Sequence, residues 1–211
     1  MKLVYFTFSF LFMTMTVNAQ NYENEMLKAL DVMSKANDIQ SYLTANNSFI
    51  RIGSVNKNEW LPNYYSAYLY AKMSYLQKDD KSKDKYLSLA ENEYKEASSK
   101  KEIDMNEMCI LNAYILQAEF SVDYMSRSNL LKQSLSQLET ALKKDPNNPR
   151  ANMLLGISYY NMPSFVGGDK KKAEAYLEKA DSCYSTFKPK IKISPNWGKD
   201  INTEWLKIVK K

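Results

Sequence analysis

Hydrophobic residues recur along this chain at the spacing of helix faces, and no stretch alternates between apolar and polar residues as a half-buried strand would. The clearest recurrence is a small residue, an apolar residue four positions later, and an alanine three positions after that. Small residues on one stripe of a helix let a neighbouring helix approach closely, and copies 44 and 39 residues apart predict helical hairpins in series. The three copies are Ala90-Tyr94-Ala97, Ser134-Leu138-Ala141 and Ala173-Leu177-Ala180.

The same spacing, together with start signals, predicts the individual helices. Asn148 is a suitable N-cap for a helix that begins at Pro149. An earlier hairpin begins near Glu25 and is completed by a helix that carries Ala45, Phe49 and Ile52, although Ala29-Met33-Ala36 has the same spacing. The other predicted helices are Trp60–Gln77 with Lys83–Ser98, Asp104–Met125 with Asn129–Lys144, a helix from Lys170, and a last one over about Asp200–Lys210.

The turn Asp145–Ala151 and the residues after it resemble the tetratricopeptide repeat. Pro146 stands where that family ends its second helix, and Leu155-Gly156 with Tyr159 match the L-G-x2-Y motif of its next first helix. The resemblance implies an all-α fold, a right-handed α-solenoid of about four degenerate helical hairpins plus a C-terminal capping helix. It also implies that Gly156 lies where the two helices of the fourth hairpin approach most closely.

Three stretches are similar to those of small exported bacterial tetratricopeptide-repeat proteins whose role is mostly undefined. These stretches are Trp60–Tyr65, the Asn148-Pro149-Arg150 turn and the Phe165–Lys170 loop. A more distant likeness is to the periplasmic repeat partner of solute-binding transport systems.

The N-terminus has the pattern of a secretory signal peptide. Lys2 supplies a positive charge, residues 3–17 are uncharged and mostly apolar, and Val17-Asn18-Ala19 ends with a small residue. The apolar run is shorter than the ~20 residues that a membrane-spanning helix requires, although an uncleaved anchor is the alternative. We therefore expect a signal peptide over 1–19, one tetratricopeptide-repeat-like α-solenoid domain over 20–211, a periplasmic or secreted protein, and no stable membrane insertion after cleavage.

The composition removes several classes of chemistry. The chain has no histidine, which excludes Ser-His-Asp and Cys-His nucleophile systems and most zinc sites. No pair of carboxylates stands out within an apolar stretch, so we expect no enzyme activity, no metal and no cofactor. The net charge of +5 comes mostly from residues after 164, which suits either solubility or contact with an acidic partner. A nucleic acid is not an expected partner of an exported chain without a recognition motif.

Cys109 and Cys183 are the only two cysteines. An exported protein with an even number of cysteines invites a disulfide. The predicted hairpins place the two residues on helices that are not immediate neighbours, whereas a disulfide needs Cα atoms within about 7 Å. A bridge and two separate buried thiols are the two alternatives.

The loop that contains Gly167, Gly168 and Asp169 allows two interpretations. Glycines before a helix N-terminus followed by Lys170 resemble a phosphate cradle. The simpler interpretation is structural, because the glycines permit a tight or positive-φ turn and Asp169 caps the helix that begins at Lys170. We favour the structural role, since the Walker pattern is missing.

The resemblance also places particular positions of each first helix on the concave groove of the repeat. Tyrosine offers a large contact area with one polar group, and Arg150 offers a forked donor for a carboxylate, so we predict a partner-binding groove. Its residues are Tyr64, Tyr68, Tyr114, Arg150 and Tyr160; core packing of the tyrosines is the alternative. The full set of concave positions is Leu61, Tyr64, Tyr68, Ala71, Glu107, Ile110, Tyr114, Gln117, Arg150, Met153, Ile157 and Tyr160.

These features leave a choice between binding functions. The first hypothesis is a non-catalytic scaffold that binds an unidentified peptide or partner protein in the groove. The second is a small-molecule or lipid carrier with an enclosed, aromatic-lined cavity. The third, an enzyme, has no supporting motif.

Overall fold

The computed structural model describes residues 20–123 and 128–211 of the 211-residue chain. The predicted signal peptide lies outside the described residues. Within them the fold is all-α, as predicted, with nine α-helices and one turn of 3₁₀ helix, Ser164–Val166. The helices are α1 (residues 20–35), α2 (Ile39–Val55), α3 (Leu61–Tyr75), α4 (Asp80–Ser98), α5 (Met105–Phe120), α6 (Ser128–Lys144), α7 (Pro149–Asn161), α8 (Lys170–Thr186) and α9 (Lys199–Val209).

The helices pack as hairpins that follow one another along the chain. The most extensive contacts join α3 to α4, α5 to α6 and α7 to α8. The first helices of these hairpins also contact one another, α3 with α5 and α5 with α7, so they form an inner layer. The small-residue stripes account for the close pairing, because every member except the half-buried Tyr94 is buried. The first hairpin, α1 with α2, carries Ala45, Phe49 and Ile52 in the core, as predicted.

Polar side chains at N-cap positions fix where the helices begin. The Oδ1 atom of Asn148 accepts a hydrogen bond from the amide of Ala151 (3.2 Å), and Pro149 is the first residue of α7. Asp104 caps α5 by accepting from the amide of Asn106 (3.0 Å). Both satisfy amide groups that have no partner inside the helix. The predicted start of α7 is therefore confirmed.

One predicted helix end is wrong, whereas the predicted ends of α4 at Ser98 and of α6 at Lys144 are confirmed. The helix expected over Asp104–Met125 ends at Phe120. The hydroxyl of Ser121 donates back to the carbonyl oxygen of Ala118 (2.7 Å), a local bond that competes with continuation of the helix. None of the helices in the described ranges is both long and apolar enough to cross a lipid bilayer.

The two cysteines are free thiols in this structure, and each is half-buried. Of the two alternatives, the disulfide is therefore absent from this structure, and two separate thiols are present, although each is only half-buried. Burial raises the pKa of both thiols, which favours the unreactive protonated form.

Candidate functional site

Four of the five side chains predicted to bind a partner meet on the inner layer. Tyr64 and Tyr68 come from α3, Tyr114 from α5 and Arg150 from the first turn of α7. The rings of Tyr68 and Tyr114 lie 5.4 Å apart between centroids. The structure therefore places these four residues on one layer. All four are buried, however, because residues 187–198, the C-terminal segment, lie across them on the way from α8 to α9.

Trp197 is the main side chain with which the C-terminal segment fills the inner layer. Its ring stacks on Tyr68 with centroids 4.6 Å apart and lies 5.3 Å from the ring of Tyr114. Its Nε1 donates to the hydroxyl of Tyr64 (3.1 Å), and its carbonyl accepts from the hydroxyl of Tyr184 (3.0 Å). Trp197 thus lies against both tyrosine rings, where a peptide side chain was expected to bind.

Arg150 is fully buried and holds the same segment. It donates through Nη1 to the carbonyl oxygen of Pro195 and through Nη2 to the carboxylate of Glu107. The guanidinium also lies over the ring of Phe187, 5.1 Å from the centroid. Burial raises the pKa of Glu107, and the attraction of Arg150 offsets part of that rise. Arg150 therefore binds groups inside the protein in this structure, and its side chain is not exposed to a partner.

The expected open groove at these four residues is consequently absent. The groove is absent because the C-terminal segment of the same chain covers these four residues. Tyr160 lies apart from the other four: it is half-buried and meets the ring of Trp205 edge-on at 5.5 Å. The alternative that the tyrosines are core residues describes Tyr64, Tyr68 and Tyr114 correctly.

The inner layer stays open beyond the C-terminal segment. There the end of α3, the start of α6 and parts of α5, α7 and α9 line a cleft of about 420 Å³, the apolar cleft. This volume is within the range of about 300–1,000 Å³ of small-molecule sites. Most of the lining side chains are aromatic or aliphatic. They are Tyr75, Tyr114, Gln117, Phe120, Ser121, Leu131, Leu154, Ile157, Ser158, Asn161, Met162, Ile201 and Trp205.

A buried amide forms the polar part of this wall. Gln117 donates through Nε2 to the hydroxyls of Ser158 (2.9 Å) and Ser134 (3.1 Å), and Ser134 in turn donates to the carbonyl of Ala113 (3.1 Å). These bonds tie α5 to α6 and α7 and fix the amide at one side of the cleft. A few placed polar groups within an apolar wall are typical of a site that binds a small molecule.

Three cleft residues, Tyr114, Gln117 and Ile157, were among the concave positions of the sequence register, and the other ten were not. Gln117 and Ile157 line the cleft where the register placed them on the inner face. Ile201 and Trp205 were missed, because α9 was interpreted only as a cap. The signal that could have found them is their spacing of four, which puts a large aromatic and an aliphatic residue on one face of a terminal helix.

The loop with Gly167, Gly168 and Asp169 has a structural role, as favoured from the sequence. Asp169 accepts from the amides of Lys171 (2.9 Å) and Lys172 (3.1 Å), which are the groups that a bound anion would use. Gly167 has a φ of 103°, in the region that favours glycine. A Cβ atom on Gly168 would lie 1.9 Å from the carbonyl oxygen of Met162, so no other residue fits there.

The described residues also form a larger depression, but they contain no metal-binding cluster. A wider, more polar depression of about 940 Å³ lies at the start of α5 and α7, and Lys190 pairs with Asp104 across it (2.6 Å). In residues 20–123 and 128–211, no group of three or more acidic or cysteine side chains could hold a metal ion. The apolar cleft is therefore the best candidate for a binding site.

Comparisons with known proteins place the chain near one solved structure. It is similar to the HusA haemophore from Porphyromonas gingivalis, with 27% sequence identity and a TM-score of 0.78. The similarity covers 90% of this chain and 92% of that chain. No protein-family model matches the chain, and no curated protein matches it significantly.

Proposed function

We propose that this protein is an exported, non-enzymatic carrier that binds haem or a closely related porphyrin in the apolar cleft. The neighbouring structure is by name a haemophore, and the likeness extends over nearly the whole of both chains. Export is supported by the signal-peptide pattern of residues 1–19. The proposal selects the small-molecule carrier from the hypotheses that the sequence left open.

The observation that carries the proposal is the lining of the cleft. A porphyrin is a rigid, flat and largely apolar ring whose two carboxylates lie at one edge. The cleft offers Trp205 and Tyr75 as aromatic contacts and Ile157 and Leu154 as aliphatic ones, in a volume of about 420 Å³. Burying the ring faces against such side chains releases ordered water and favours binding.

The residues of the cleft favour recognition of the ring over ligation of the iron. The chain has no histidine, so among the usual axial ligands the cleft offers only the phenols of Tyr75 and Tyr114 and the thioether of Met162. Burial raises the pKa of Tyr114 well above its ordinary value, which disfavours the phenolate that binds iron. We therefore expect haem and metal-free protoporphyrin to bind with similar affinity.

A titration of the purified protein with each porphyrin tests the proposal, followed by porphyrin absorbance and by quenching of tryptophan fluorescence. Ile157→Glu places a carboxylate on the half-buried wall of the cleft and should weaken binding of both porphyrins at least about tenfold. Ile50→Glu is the matched control, because Ile50 is a partly exposed isoleucine on α2 outside the cleft. Absence of binding by the parent protein, or equal affinity of Ile157→Glu, would contradict the proposal.

Binding of a peptide is the less favoured function. The part of the inner layer suited to an extended chain already holds residues 187–198, so a peptide would have to displace Trp197 from its contacts with Tyr68 and Tyr114. The apolar cleft needs no such displacement. A protein partner therefore stays a prediction from the sequence.

A further inference from the structure

The loop that joins α7 to α8, residues 162–169, carries the most exposed large apolar side chain among the described residues. Phe165 is 88% exposed and its neighbour Val166 is 55% exposed. We propose that this α7–α8 loop docks on an anionic lipid surface, with Phe165 and Val166 as the inserted tip and Lys170, Lys171 and Lys172 as the charged flank. The inference goes beyond porphyrin binding and does not require it.

The backbone holds the tip in one conformation. The amide of Val166 donates to the carbonyl oxygen of Pro163 (3.0 Å), and the amide of Gly168 donates to the same oxygen (3.1 Å). On the far side, the amide of Asp169 donates to the carbonyl oxygen of Tyr159 (3.0 Å). The loop is therefore tied to the end of α7 from both sides. Phe165 is presented to solvent by this framework, although an apolar cleft lies beside the loop.

The charge next to the tip identifies the kind of surface. Lys170, Lys171 and Lys172 follow the loop directly and are exposed. The ammonium of Lys170 lies over the ring of Tyr160 (5.4 Å to the centroid), and that of Lys172 lies over Tyr159 (5.5 Å). Within residues 20–123 and 128–211, no carboxylate pairs with these three ammonium groups. An apolar tip flanked by uncompensated cations fits the boundary of a bilayer that contains anionic lipids.

The position of the loop gives the docking a consequence for the cleft. Met162, which begins the loop, is part of the cleft wall. A surface that covers Phe165 would therefore lie beside that wall. Exposure to water is unfavourable for an apolar ring. Such a ligand could then pass between the lipid and the cleft with little of that exposure.

Co-sedimentation of the ligand-free protein with lipid vesicles tests the inference. One set of vesicles is phosphatidylcholine alone and the other contains about one third phosphatidylglycerol, whose charge attracts basic segments. We expect binding to the anionic vesicles that weakens as salt is added. The double variant Phe165→Ser/Val166→Ser should lower the partition coefficient at least about tenfold. Lys170→Gln/Lys171→Gln/Lys172→Gln should lower it about tenfold or more and remove most of its salt dependence.

Val55→Ser is the control, because Val55 is 78% exposed but lies at the end of α2. It should leave the partition coefficient unchanged. All variants change exposed side chains, so their urea midpoints should match that of the parent, which separates lost docking from lost folding. Failure of the parent protein to bind anionic vesicles would overturn the inference, as would undiminished binding by Phe165→Ser/Val166→Ser. Sedimentation velocity tests whether the tip binds a second copy of the chain instead. A parent protein that is dimeric, with a monomeric Phe165→Ser/Val166→Ser variant, would likewise overturn the inference.

Discussion

Gly156 marks the closest approach between α7 and α8. A Cβ atom at this position would lie 2.7 Å from Cγ of Leu177 and 3.0 Å from the carbonyl oxygen of Ala173. We predict that Gly156→Leu lowers the free energy of unfolding by about 1–3 kcal/mol or more, because the two helices would have to move apart. A urea titration measures the change. Ser182→Leu, at an exposed position of α8, should shift the stability by less than about 0.5 kcal/mol.

Arg150, which the sequence placed in a partner-binding groove, is a second residue whose replacement should act on stability. Its guanidinium is buried between Glu107 and the carbonyl of Pro195. We predict that Arg150→Met lowers the free energy of unfolding by about 3–5 kcal/mol at neutral pH, because Glu107 would keep a buried charge without its partner. An unchanged thermal midpoint would contradict this assignment.

The pH dependence of the same variant gives an independent check. Burial already raises the pKa of Glu107, and loss of Arg150 removes the attraction that limits the rise. A carboxyl whose pKa is higher in the folded than in the unfolded state contributes stability below its unfolded pKa of about 4.3 and loses it as pH rises through the folded pKa. The difference in unfolding free energy between parent and Arg150→Met should therefore shrink from about pH 7 to about pH 4.

At the scale of elements, the C-terminal segment and α9 contribute one tryptophan each, with different roles. Trp197 is 6% exposed and stacks on Tyr68, whereas Trp205 is half-buried in the wall of the apolar cleft. We predict that Trp197→Ala lowers the free energy of unfolding by about 3–5 kcal/mol. Trp205→Ala should cost less stability and weaken porphyrin binding. Urea unfolding and porphyrin titration of both variants measure the two effects, and a reversed pattern would refute the division of roles.

The elements differ in how far the sequence predicted them. Asn148-Pro149 and Asp169 act locally, through bonds to amides two or three residues away, so the starts of α7 and α8 could be predicted. The position of the C-terminal segment could not, because its partners are remote in the chain: Tyr64 lies 133 residues from Trp197. A helical register places residues on a face but does not determine what covers that face. The sequence therefore predicted the layer that contains Tyr64 and Arg150, but it did not predict that residues 187–198 cover that layer.

At the scale of the whole molecule, the C-terminal segment changes how the hairpins depend on one another. Hairpins in series contact mainly their neighbours, and their stabilities then add along the chain. Here the hydroxyl of Tyr65 in α3 donates to the carbonyl of Ile193 (2.8 Å), while Arg150 in α7 donates to Pro195. One segment thus joins the second hairpin directly to the fourth.

We predict from this connection that the described domain unfolds as one cooperative unit. Helix content, followed by circular dichroism, and tryptophan fluorescence should give the same urea midpoint for the parent protein. Trp197→Ala removes the ring stacked on Tyr68, so its two transitions should separate or broaden. Distinct midpoints in the parent would mean that the hairpins unfold independently.

The position of residues 187–198 in the chain also determines when the inner layer can be covered during synthesis. Hairpins such as α3 with α4 can form as soon as they leave the ribosome, because their partners are adjacent in sequence. Tyr64 and Tyr68, by contrast, gain Trp197 only after a long further stretch of chain has been made, since Trp197 follows Tyr64 by 133 residues. The inner layer of the nascent chain therefore stays uncovered until residues 187–198 have been made. Such a delay suits the export that we propose for this protein, because a polypeptide is threaded through a secretion channel before it folds.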